Sequence, residues 1–357
     1  WFTPKQTFKI EITSQHSPLK SLNFAALKIK DAVADRFRHK FNVRPSVNTQ
    51  WPDARIYVHL TAEHCMLYID TSGEPLFKRG WRVDKGDAPV KETLAAAMLA
   101  ACGWSMGDGT TDNPDGWVAQ GVPLYDPCCG SGTIAVEAAQ VACNMAPGMM
   151  RRFAFEKLLP YQDHVWQGLR EQAHAQVCPP RASVFGSDVA FRMVDFAQRN
   201  AERAGVEHAV NLRGGDALQR MPPSERAGVM LINPPYGERI EAAGVAGAAR
   251  LARRDAAQPV SPADGVPRFG ARDIAQTEDG GDFFAQLASH WKKHYAGWTA
   301  WMLTPDLKLP SRMRFKESRR VPMWNGPIEC RMFRFDLRAG SMRKPTDASN
   351  ASKDADV

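Results

Sequence analysis

The stretch YDPCCGSGTIAVEAA, Tyr125 to Ala139, joins a short apolar run to an alanine-rich run across a tight glycine turn. Asp126 stands at the end of the apolar run, and Gly130 and Gly132 let the backbone approach a ligand closely. A helix that begins directly after such a turn offers free N–H groups to a carboxylate or a phosphate. The stretch therefore predicts a strand, a ligand-binding loop and a helix.

Two familiar nucleotide-binding motifs do not fit this loop. A dinucleotide site needs Gly-x-Gly-x-x-Gly and a phosphate loop needs Gly-Lys-Ser/Thr, whereas this loop has only Gly-x-Gly. The form Asp-Pro-x-Cys-Gly-Ser-Gly-Thr suits S-adenosylmethionine, whose methionine part carries a carboxylate for the helix end. A plain strand–helix turn is the alternative, and we expect Glu137 on the helix to be structural. The residues predicted to bind this cofactor are Asp126, Gly130, Ser131, Gly132 and Thr133.

Short apolar stretches alternate with helical patterns through the rest of this region. They read VPLYDP, ASVFGSD, HAVNLRGGD, GVMLINPP and GWTAWMLTPD. Such alternation predicts a parallel sheet with helices on both faces. Near the end, Asn325-Gly326 is a hairpin signal between two strand-like runs. A doubly wound α/β sheet that ends in an antiparallel hairpin has the shape of class I (Rossmann-like) methyltransferases, an analogy of fold alone.

The chain divides by pattern into several parts. Residues 1–72 form a small α+β unit: TFKIEIT alternates like a strand, LNFAALKIKDAVADRFRHKF carries one apolar helical stripe, and RIYVHL and CMLYIDTS favour two more strands. Residues 73–103 read as a linker and a helix, and 104–338 as the second domain. Within it, 241–281 reads as a flexible insertion, and 339–357 as a disordered tail. Because the chain opens on Trp1, we expect its natural N-terminus to lie upstream.

The charge of the chain is concentrated near its start. The net charge is +7, and Trp1 to Arg44 hold nine Lys or Arg against three acids. A basic segment favours a nucleic-acid partner, although a solvated helix face on a basic protein is the alternative. We predict RNA contacts from the cations that lie largely off the apolar stripe of the first helix, and from one cation further along the chain. They are Lys20, Lys28, Lys30, Arg36, Arg38, Lys40 and Arg239.

Composition argues against three other classes of protein. No apolar run approaches the ~18 residues of a membrane span. The seven cysteines form no Cys-x-x-Cys pair, which argues against a disulfide framework and against a zinc site. We therefore expect a reduced, cytoplasmic protein without a metal.

Two further acids follow predicted strands. Asp188 ends ASVFGSD, where a carboxylate can accept both ribose hydroxyls of a nucleoside. Asp216 follows the next strand, where it could accept from an adenine amino group. Each acid alone is weak support, because turns often contain Asp. Together with the glycine loop they predict one cofactor crevice at the carboxyl ends of the strands.

The stretch LINPPYGERI places an amide, two prolines and an aromatic ring after a buried strand. The exocyclic amino group of a base is a poor nucleophile because its lone pair is delocalised into the ring. The side-chain carbonyl of Asn233 and the backbone carbonyl of Pro234 can each accept one amino hydrogen and aim the lone pair at a methyl group. Rigidity from Pro235 would preorganise these acceptors, and Tyr236 could stack on a flipped-out base. A proline-rich turn is the alternative.

Five segments together carry a family resemblance. They are KRGWR, APVKETLAAAMLAACGW, DPCCGSGTIAVEAA, NPPYGERI and NGPIECRMF. The chain, up to about Leu337, resembles the bacterial 23S ribosomal RNA guanine-N2 methyltransferases that carry a THUMP domain, the RlmL-like group. Asn-Pro-Pro-Tyr alone also occurs in DNA adenine methylases, whereas the extension Gly-Glu-Arg and the second segment are more specific.

The resemblance implies a THUMP RNA-binding domain over the first ~70 residues, a match truncated at its N-terminal side. It also implies that the segment around Pro89, Lys91 and Thr93 packs by the methionine end of the cofactor. The resemblance extends to one methyltransferase domain, whereas some members carry a second. The insertion is longer than expected, and Cys128 replaces a larger residue.

Three functions remain open at this point. The first is methylation of a guanine N2 in large-subunit ribosomal RNA, either naked or in an assembling particle. The second is DNA adenine-N6 methylation, against which stands the lack of a separate recognition domain after the catalytic motifs. The third is a non-catalytic RNA-binding or ribosome-assembly role with a vestigial cofactor site, against which stands the intact Asn-Pro-Pro-Tyr stretch at 233–236.

Overall fold

A computed structural model of the protein describes residues 1–86, 89–107, 116–234 and 283–338. Several predicted features lie outside these residues. They are Pro235, Tyr236, Arg239, the 241–281 insertion and the 339–357 tail.

The first residues form a three-stranded sheet and one long helix. The elements are β1 (Phe8–Ser14), α1 (Leu22–Phe41), β2 (Ala54–Leu60) and β3 (Cys65–Ile69). The strand order is β1-β2-β3, with β1 parallel to β2 and β3 antiparallel to β2. The predicted strands and helix are therefore confirmed.

Local sequence explains where α1 begins and how it packs. The Ser21 hydroxyl accepts a hydrogen bond from the backbone N–H of Phe24, and Asn42 ends the helix in the left-handed conformation with φ of 56°. The predicted stripe faces the core of this unit, where Ile29 and Val33 pack against buried residues that include Phe8. Because the stripe recurs every three or four residues, one side of the helix is left for the charged side chains.

A seven-stranded sheet forms the centre of the rest of the chain. Its strands are β4 (Leu124–Asp126), β5 (Val184–Asp188), β6 (Val210–Gly214), β7 (Val229–Ile232), β8 (Thr299–Thr304), β9 (Arg319–Asn325) and β10 (Ile328–Asp336). The order is β6-β5-β4-β7-β8-β10-β9. Strand β7 is parallel to both β4 and β8, whereas β10 is antiparallel to β8 and β9. This order confirms the predicted doubly wound sheet with an antiparallel hairpin.

Helices connect most of these strands. They are α2 (Glu92–Ala101), α3 (Thr133–Ala142), α4 (Asp163–Ala175), α5 (Phe191–Arg203), α6 (Phe283–His294) and α7 (Leu309–Met313). The side of α5 that faces the interior is lined by small residues, since Ala197, Ala201 and Ala204 are buried. Gly205, with φ of 70°, ends this helix in the left-handed conformation. Within the described ranges, no helix combines the length and the hydropathy that a membrane span requires.

The hairpin turn lies one residue later than the Asn-Gly signal predicts. Asn325 is the last residue of β9 and pairs with Ile328, so the two-residue loop is Gly326-Pro327. Gly326 has φ of 64°, and proline fixes the next φ near −65°. Positive φ followed by negative φ is a type II′ turn, whose twist suits a hairpin.

The described chain forms two compact units. The first comprises Trp1–Gly121, Gly130–Val184 and Arg192–Leu212. The second comprises Val122–Cys129, Phe185–Phe191 and the described part of Arg213–Val357. In the second unit, α6 contributes Leu287 and Trp291 to a buried core that also contains Met230, Met302 and Phe333.

A segment after α3 is bound to the N-terminal sheet, and no sequence pattern predicted this contact. The Arg151 guanidinium donates to the backbone carbonyl of Ser72 at 3.0 Å, and the Lys157 ammonium pairs with Asp53 at 2.8 Å. Leu158 is buried in the same core cluster as Phe8. The N-terminal elements are thus held by this segment as well as by the chain that follows residue 72, while the predicted domain boundaries stay a prediction.

Candidate active site

The glycine loop has the strand–turn–helix geometry that the sequence predicts. Asp126 ends β4, and its Oδ1 accepts a hydrogen bond from the backbone N–H of Cys128 at 3.1 Å. Gly130 and Gly132 are both left-handed, with φ of 53° and 84°. A Cβ on Gly132 would lie 2.8 Å from the Cβ of Ala197, so a side chain at this position would collide. Both conformation and space therefore require glycine at 132.

The three predicted acids lie around one thiol. Asp126 is buried, while Asp188 and Asp216 are half-buried. Burial raises the pKa of the Cys128 thiol well above its usual value, and the negative charges of these three carboxylates add to the effect. A hydrogen bond also joins the carboxyl ends of β5 and β6, since the backbone N–H of Gly215 donates to the carbonyl of Asp188 at 2.9 Å. The structure thus brings the three acids together, as the crevice prediction requires, and keeps Cys128 protonated.

Asp126 itself holds its proton unusually tightly. Burial, together with a smaller effect of the neighbouring charge of Asp188, raises its pKa to about 8. The folded state therefore binds this proton more tightly than the unfolded chain, where the carboxyl has its ordinary pKa of 3.8. The free energy of unfolding therefore falls as the pH rises from about 4 to about 8.

Asp126→Asn should remove this loss of stability. The amide stays neutral at every pH and can still accept from Cys128, so the variant should gain stability over the wild type as the pH rises. One pKa unit corresponds to about 1.4 kcal/mol, and we expect at least about that gain at a pH of about 8. Urea unfolding at pH values of about 5 and 8 measures it; a difference between the proteins that does not grow with pH would contradict the assignment.

Asn233 and Pro234 follow a fully buried strand. All four residues of β7 are buried, and Pro234 is buried as well. The Oδ1 of Asn233 is shielded from solvent, yet within the part of the chain that the structure describes it accepts no hydrogen bond. A buried acceptor without a donor costs about 1–3 kcal/mol, so it calls for an explanation, and an absent ligand that donates a hydrogen bond is one.

Sheet register places Asn233 at the same edge as Asp126. Strands β4 and β7 are parallel neighbours in which Tyr125 stands opposite Met230. Asp126 is therefore opposite Leu231, and Asn233 lies two residues, or about 7 Å, further along the strand direction. The acids and the amide consequently share the carboxyl edge of the sheet, where ligands of open α/β sheets bind.

The residues that the resemblance assigns to the methionine end lie at the start of α2. Lys91 precedes this helix, and its ammonium lies 5.0 Å from the centre of the Phe77 ring. Pro89 is half-buried and Thr93 is exposed. Their contact with a cofactor stays a prediction.

Most of the predicted RNA-binding cations are exposed. Lys30 differs from the others, because it is half-buried and pairs with Asp31 at 2.9 Å. Two of the cations lie over aromatic rings, Lys28 at 5.5 Å from the Phe24 ring and Lys40 at 5.2 Å from the Phe41 ring. The exposed ones are Lys20, Lys28, Arg36, Arg38 and Lys40, which we call the α1 basic face.

Two family models match the chain. The THUMP domain model covers residues 1–70, and the RMKL-like methyltransferase domain model covers residues 79–114 and 115–251. The chain belongs to the RMKL-like methyltransferase family. The resemblance drawn from the sequence motifs is thereby confirmed at the level of the family, with its THUMP domain.

Individual relatives of this RMKL-like chain agree with the family models. The ribosomal RNA large subunit methyltransferase K/L of Shewanella pealeana is 35% identical over 361 residues, which are 100% of this chain and 44% of that protein. The chain spans less than half the length of the curated relatives that it matches.

Solved structures share the fold. A structure from Clostridium difficile 630, named as a possible methylase, is 25% identical with a TM-score of 0.71, covering 96% of this chain and 77% of that one. A structure from Listeria monocytogenes, named as a predicted N6-adenine-specific DNA methylase, is 25% identical with a TM-score of 0.68, covering 94% of this chain and 74% of that one.

One aromatic residue of the RMKL-like chain escaped the sequence reasoning. Phe191 begins α5 three residues after Asp188 and is 80% exposed. Its ring lies over Gly214, where an added Cβ would be 2.6 Å from the ring carbon Cε1. The position of an aromatic residue shortly after a strand-end acid could have drawn attention to Phe191. The same position also suits the first apolar residue of an amphipathic helix, so the pattern was ambiguous.

Proposed function

We propose that the chain is the part of an S-adenosylmethionine-dependent enzyme that methylates the exocyclic N2 amino group of a guanine in large-subunit ribosomal RNA. The observation that carries the proposal is the buried Oδ1 of Asn233, which lacks a donor among the described residues. It lies at the sheet edge that also holds Asp126. An amino group is a donor of the kind that this acceptor needs.

The acids fit the cofactor. Bound S-adenosylmethionine supplies a methyl group on a cationic sulfur atom. Asp188 can accept hydrogen bonds from two ribose hydroxyls, and Asp216 can accept from the adenine amino group. The acids Asp188 and Asp216 also favour a positively charged ligand. The glycine loop would present backbone N–H groups at the start of α3 to the carboxylate of the ligand, with Pro89, Lys91 and Thr93 nearby in the role that the resemblance implies.

For the transfer, the chain needs acceptors rather than a strong base. Asn233 Oδ1 and the Pro234 carbonyl would each hold one amino hydrogen, which localises the nitrogen lone pair and aims it at the methyl group. These acceptors are fixed before the substrate arrives, so little reorganisation is needed in the transition state. Pro235 and Tyr236 keep the roles that the sequence predicts, rigidity and stacking on the extruded base.

Ribosomal RNA as substrate is supported by the names of the relatives and by the chemistry of the first domain. The curated relatives are called ribosomal RNA large subunit methyltransferases K/L, a name that does not specify the atom methylated. The α1 basic face on the THUMP domain suits a polyanion. Guanine N2 rests on the extended motif NPPYGER, and we place the reaction in the cytoplasm, on naked RNA or an assembling particle.

DNA adenine methylation is the second candidate, because it is favoured by the name of the Listeria monocytogenes structure. Mass spectrometry of nucleosides separates the two. Ribosomal RNA from cells that lack the protein should lose N2-methylguanosine and regain it when the gene is restored. Loss of N6-methyladenosine from DNA instead would favour the second candidate.

Asp188→Asn should weaken cofactor binding about tenfold. The amide keeps one acceptor but loses the charge, and charge-assisted hydrogen bonds are about twice as strong as neutral ones. Isothermal calorimetry with S-adenosylhomocysteine measures the change. Asp195→Asn is the matched control, since Asp195 is an exposed acid on α5 that pairs with Arg199. Equal affinities in the two folded variants would remove Asp188 from the site.

A further inference from the structure

A fully buried amide lies behind the glycine loop. Asn200 on α5 has no exposed surface. Its Nδ2 donates to the backbone carbonyls of Ser131 at 2.9 Å and Asp84 at 2.8 Å. Its Oδ1 accepts from the Arg203 guanidinium at 2.6 Å and from the backbone N–H of Val83 at 3.3 Å. Both donors and both acceptor positions of this side chain are therefore in use.

The contact with Ser131 fixes a peptide in the middle of the loop. Ser131 lies between Gly130 and Gly132, two left-handed residues whose backbones have wide conformational freedom. Asn200 draws the Ser131 carbonyl toward α5. In a planar trans peptide, C=O and the following N–H point in opposite directions, so the N–H of Gly132 points away from α5. Asn200 thus sets the direction in which one loop donor is presented.

Helix α5 supports the loop at a second point. Ala197 lies three residues before Asn200, on the same side of the helix. The Ala197 Cα is 3.1 Å from the place where a Cβ on Gly132 would lie, so glycine and helix are in close contact. The loop is therefore seated on α5 at two consecutive residues, by a hydrogen bond at 131 and by packing at 132.

The same arrangement holds the far end of the loop. The Arg82 guanidinium donates to the Thr133 hydroxyl at 3.1 Å and to the Val90 carbonyl at 2.8 Å, and it pairs with buried Glu92. Since Val83 and Asp84 are bound by Asn200, the stretch 82–84 runs from one anchor to the other. We call this stretch the strap.

We propose that Asn200 is a positioning residue for cofactor binding, which holds the glycine loop in its binding conformation through the Ser131 carbonyl while the strap braces it. The inference rests on the proposed function, because the ligand of the loop is the cofactor named there. Asn200 itself acts only through the backbone of the loop.

The first test uses Asn200→Asp, which keeps the shape and the acceptor for Arg203 but removes both N–H donors. Affinity for S-adenosylhomocysteine, measured by calorimetry well below the unfolding temperature, should fall about tenfold. Of the two hydrogen bonds that the variant loses, the one to Ser131 acts on the loop, and about tenfold is the equivalent of that one bond. Glu202→Gln is the control, because Glu202 is an exposed residue of the same helix. Its affinity should equal that of the wild type.

The second test needs no ligand. Hydrogen exchange of the free protein should become faster over residues 129–133 in Asn200→Asp and should stay at the wild-type rate there in Glu202→Gln. If the aspartate variant fails to fold, Asn200→Ser replaces it, because serine buries no charge and leaves room for a water. Unchanged loop exchange together with unchanged affinity in a folded variant would overturn the inference. A wild type that binds no S-adenosylhomocysteine would overturn the proposed function instead, while the exchange result would still decide whether Asn200 orders the loop.

Discussion

Asn233→Ala should lower the turnover of RNA methylation about 100- to 1,000-fold while cofactor affinity stays close to that of the wild type. The reason is that one preorganised acceptor for the target amino group disappears, and loss of one preorganised hydrogen-bonding group of an oxyanion hole costs about 2.7–4 kcal/mol of barrier. The variant should also fold well. The reason is that Asn233 Oδ1 accepts no hydrogen bond from the described residues, so its removal breaks none of their contacts.

Single-turnover kinetics with saturating cofactor would measure this effect, since they separate chemistry from binding and product release. Asn233→Asp is the matched variant. Its carboxylate keeps an acceptor and adds a charge, so partial activity should remain. Full activity in Asn233→Ala would overturn the acceptor argument. N6-methyladenosine as the product of an active variant would overturn the guanine assignment and leave the acceptor argument standing.

Much of the fold could be predicted because its signals are local. The stripe of α1, the glycine turn and the strand-end acids each occupy a few consecutive residues, and a parallel sheet brings its strand ends to one edge. The crevice prediction needed only that rule, and Cys128 does lie within the influence of all three acids. The hairpin was misplaced by one residue because Gly326-Pro327 forms a type II′ turn as readily as Asn-Gly forms a type I′ turn.

The supporting contacts could not be predicted, because they join residues far apart in the chain. Asn200 meets Ser131 across 69 positions and Val83 across 117 positions. On the sequence, Asn200 is one polar residue in an amphipathic helix and gives no sign of being buried. Its burial follows from the packing of the loop and the strap against α5. Residues that hold a site in place are thus less visible in a sequence than residues that touch a ligand.

The contacts of the first domain with residues 157–158 determine how its role in RNA binding should be tested. Leu158 is buried in the same core as Phe8, and Lys157 pairs with Asp53. Deleting the first 72 residues would therefore expose apolar surface on what remains and confuse lost RNA binding with misfolding. Substitutions on the exposed face of α1 avoid this problem, because that face makes no part of the core cluster.

Replacing the α1 basic face with glutamine should reduce RNA affinity and flatten its dependence on salt. Each phosphate contact contributes about 0.7 to the slope of log affinity against log salt for single strands and about 0.9 for duplexes. If all five cations contact phosphates, the slope should fall by about 3.5–4.5, which makes this the largest binding effect we expect. Lys30 is left in place because its partner is Asp31. Filter binding to a ribosomal RNA fragment across a series of salt concentrations measures both quantities.

A charge-matched variant separates a specific face from general attraction. In this variant, five exposed cations of the second unit are changed to glutamine, which removes the same amount of charge at another place. They are Arg226, Lys293, Lys308, Lys316 and Arg319. If RNA binds to the α1 basic face, the dependence of RNA affinity on salt should become much weaker in the first variant and change little in the second. Both variants should bind S-adenosylhomocysteine like the wild type. Equal losses would mean that RNA senses the net charge of the protein. In that case the THUMP domain must contact RNA through residues other than those of α1.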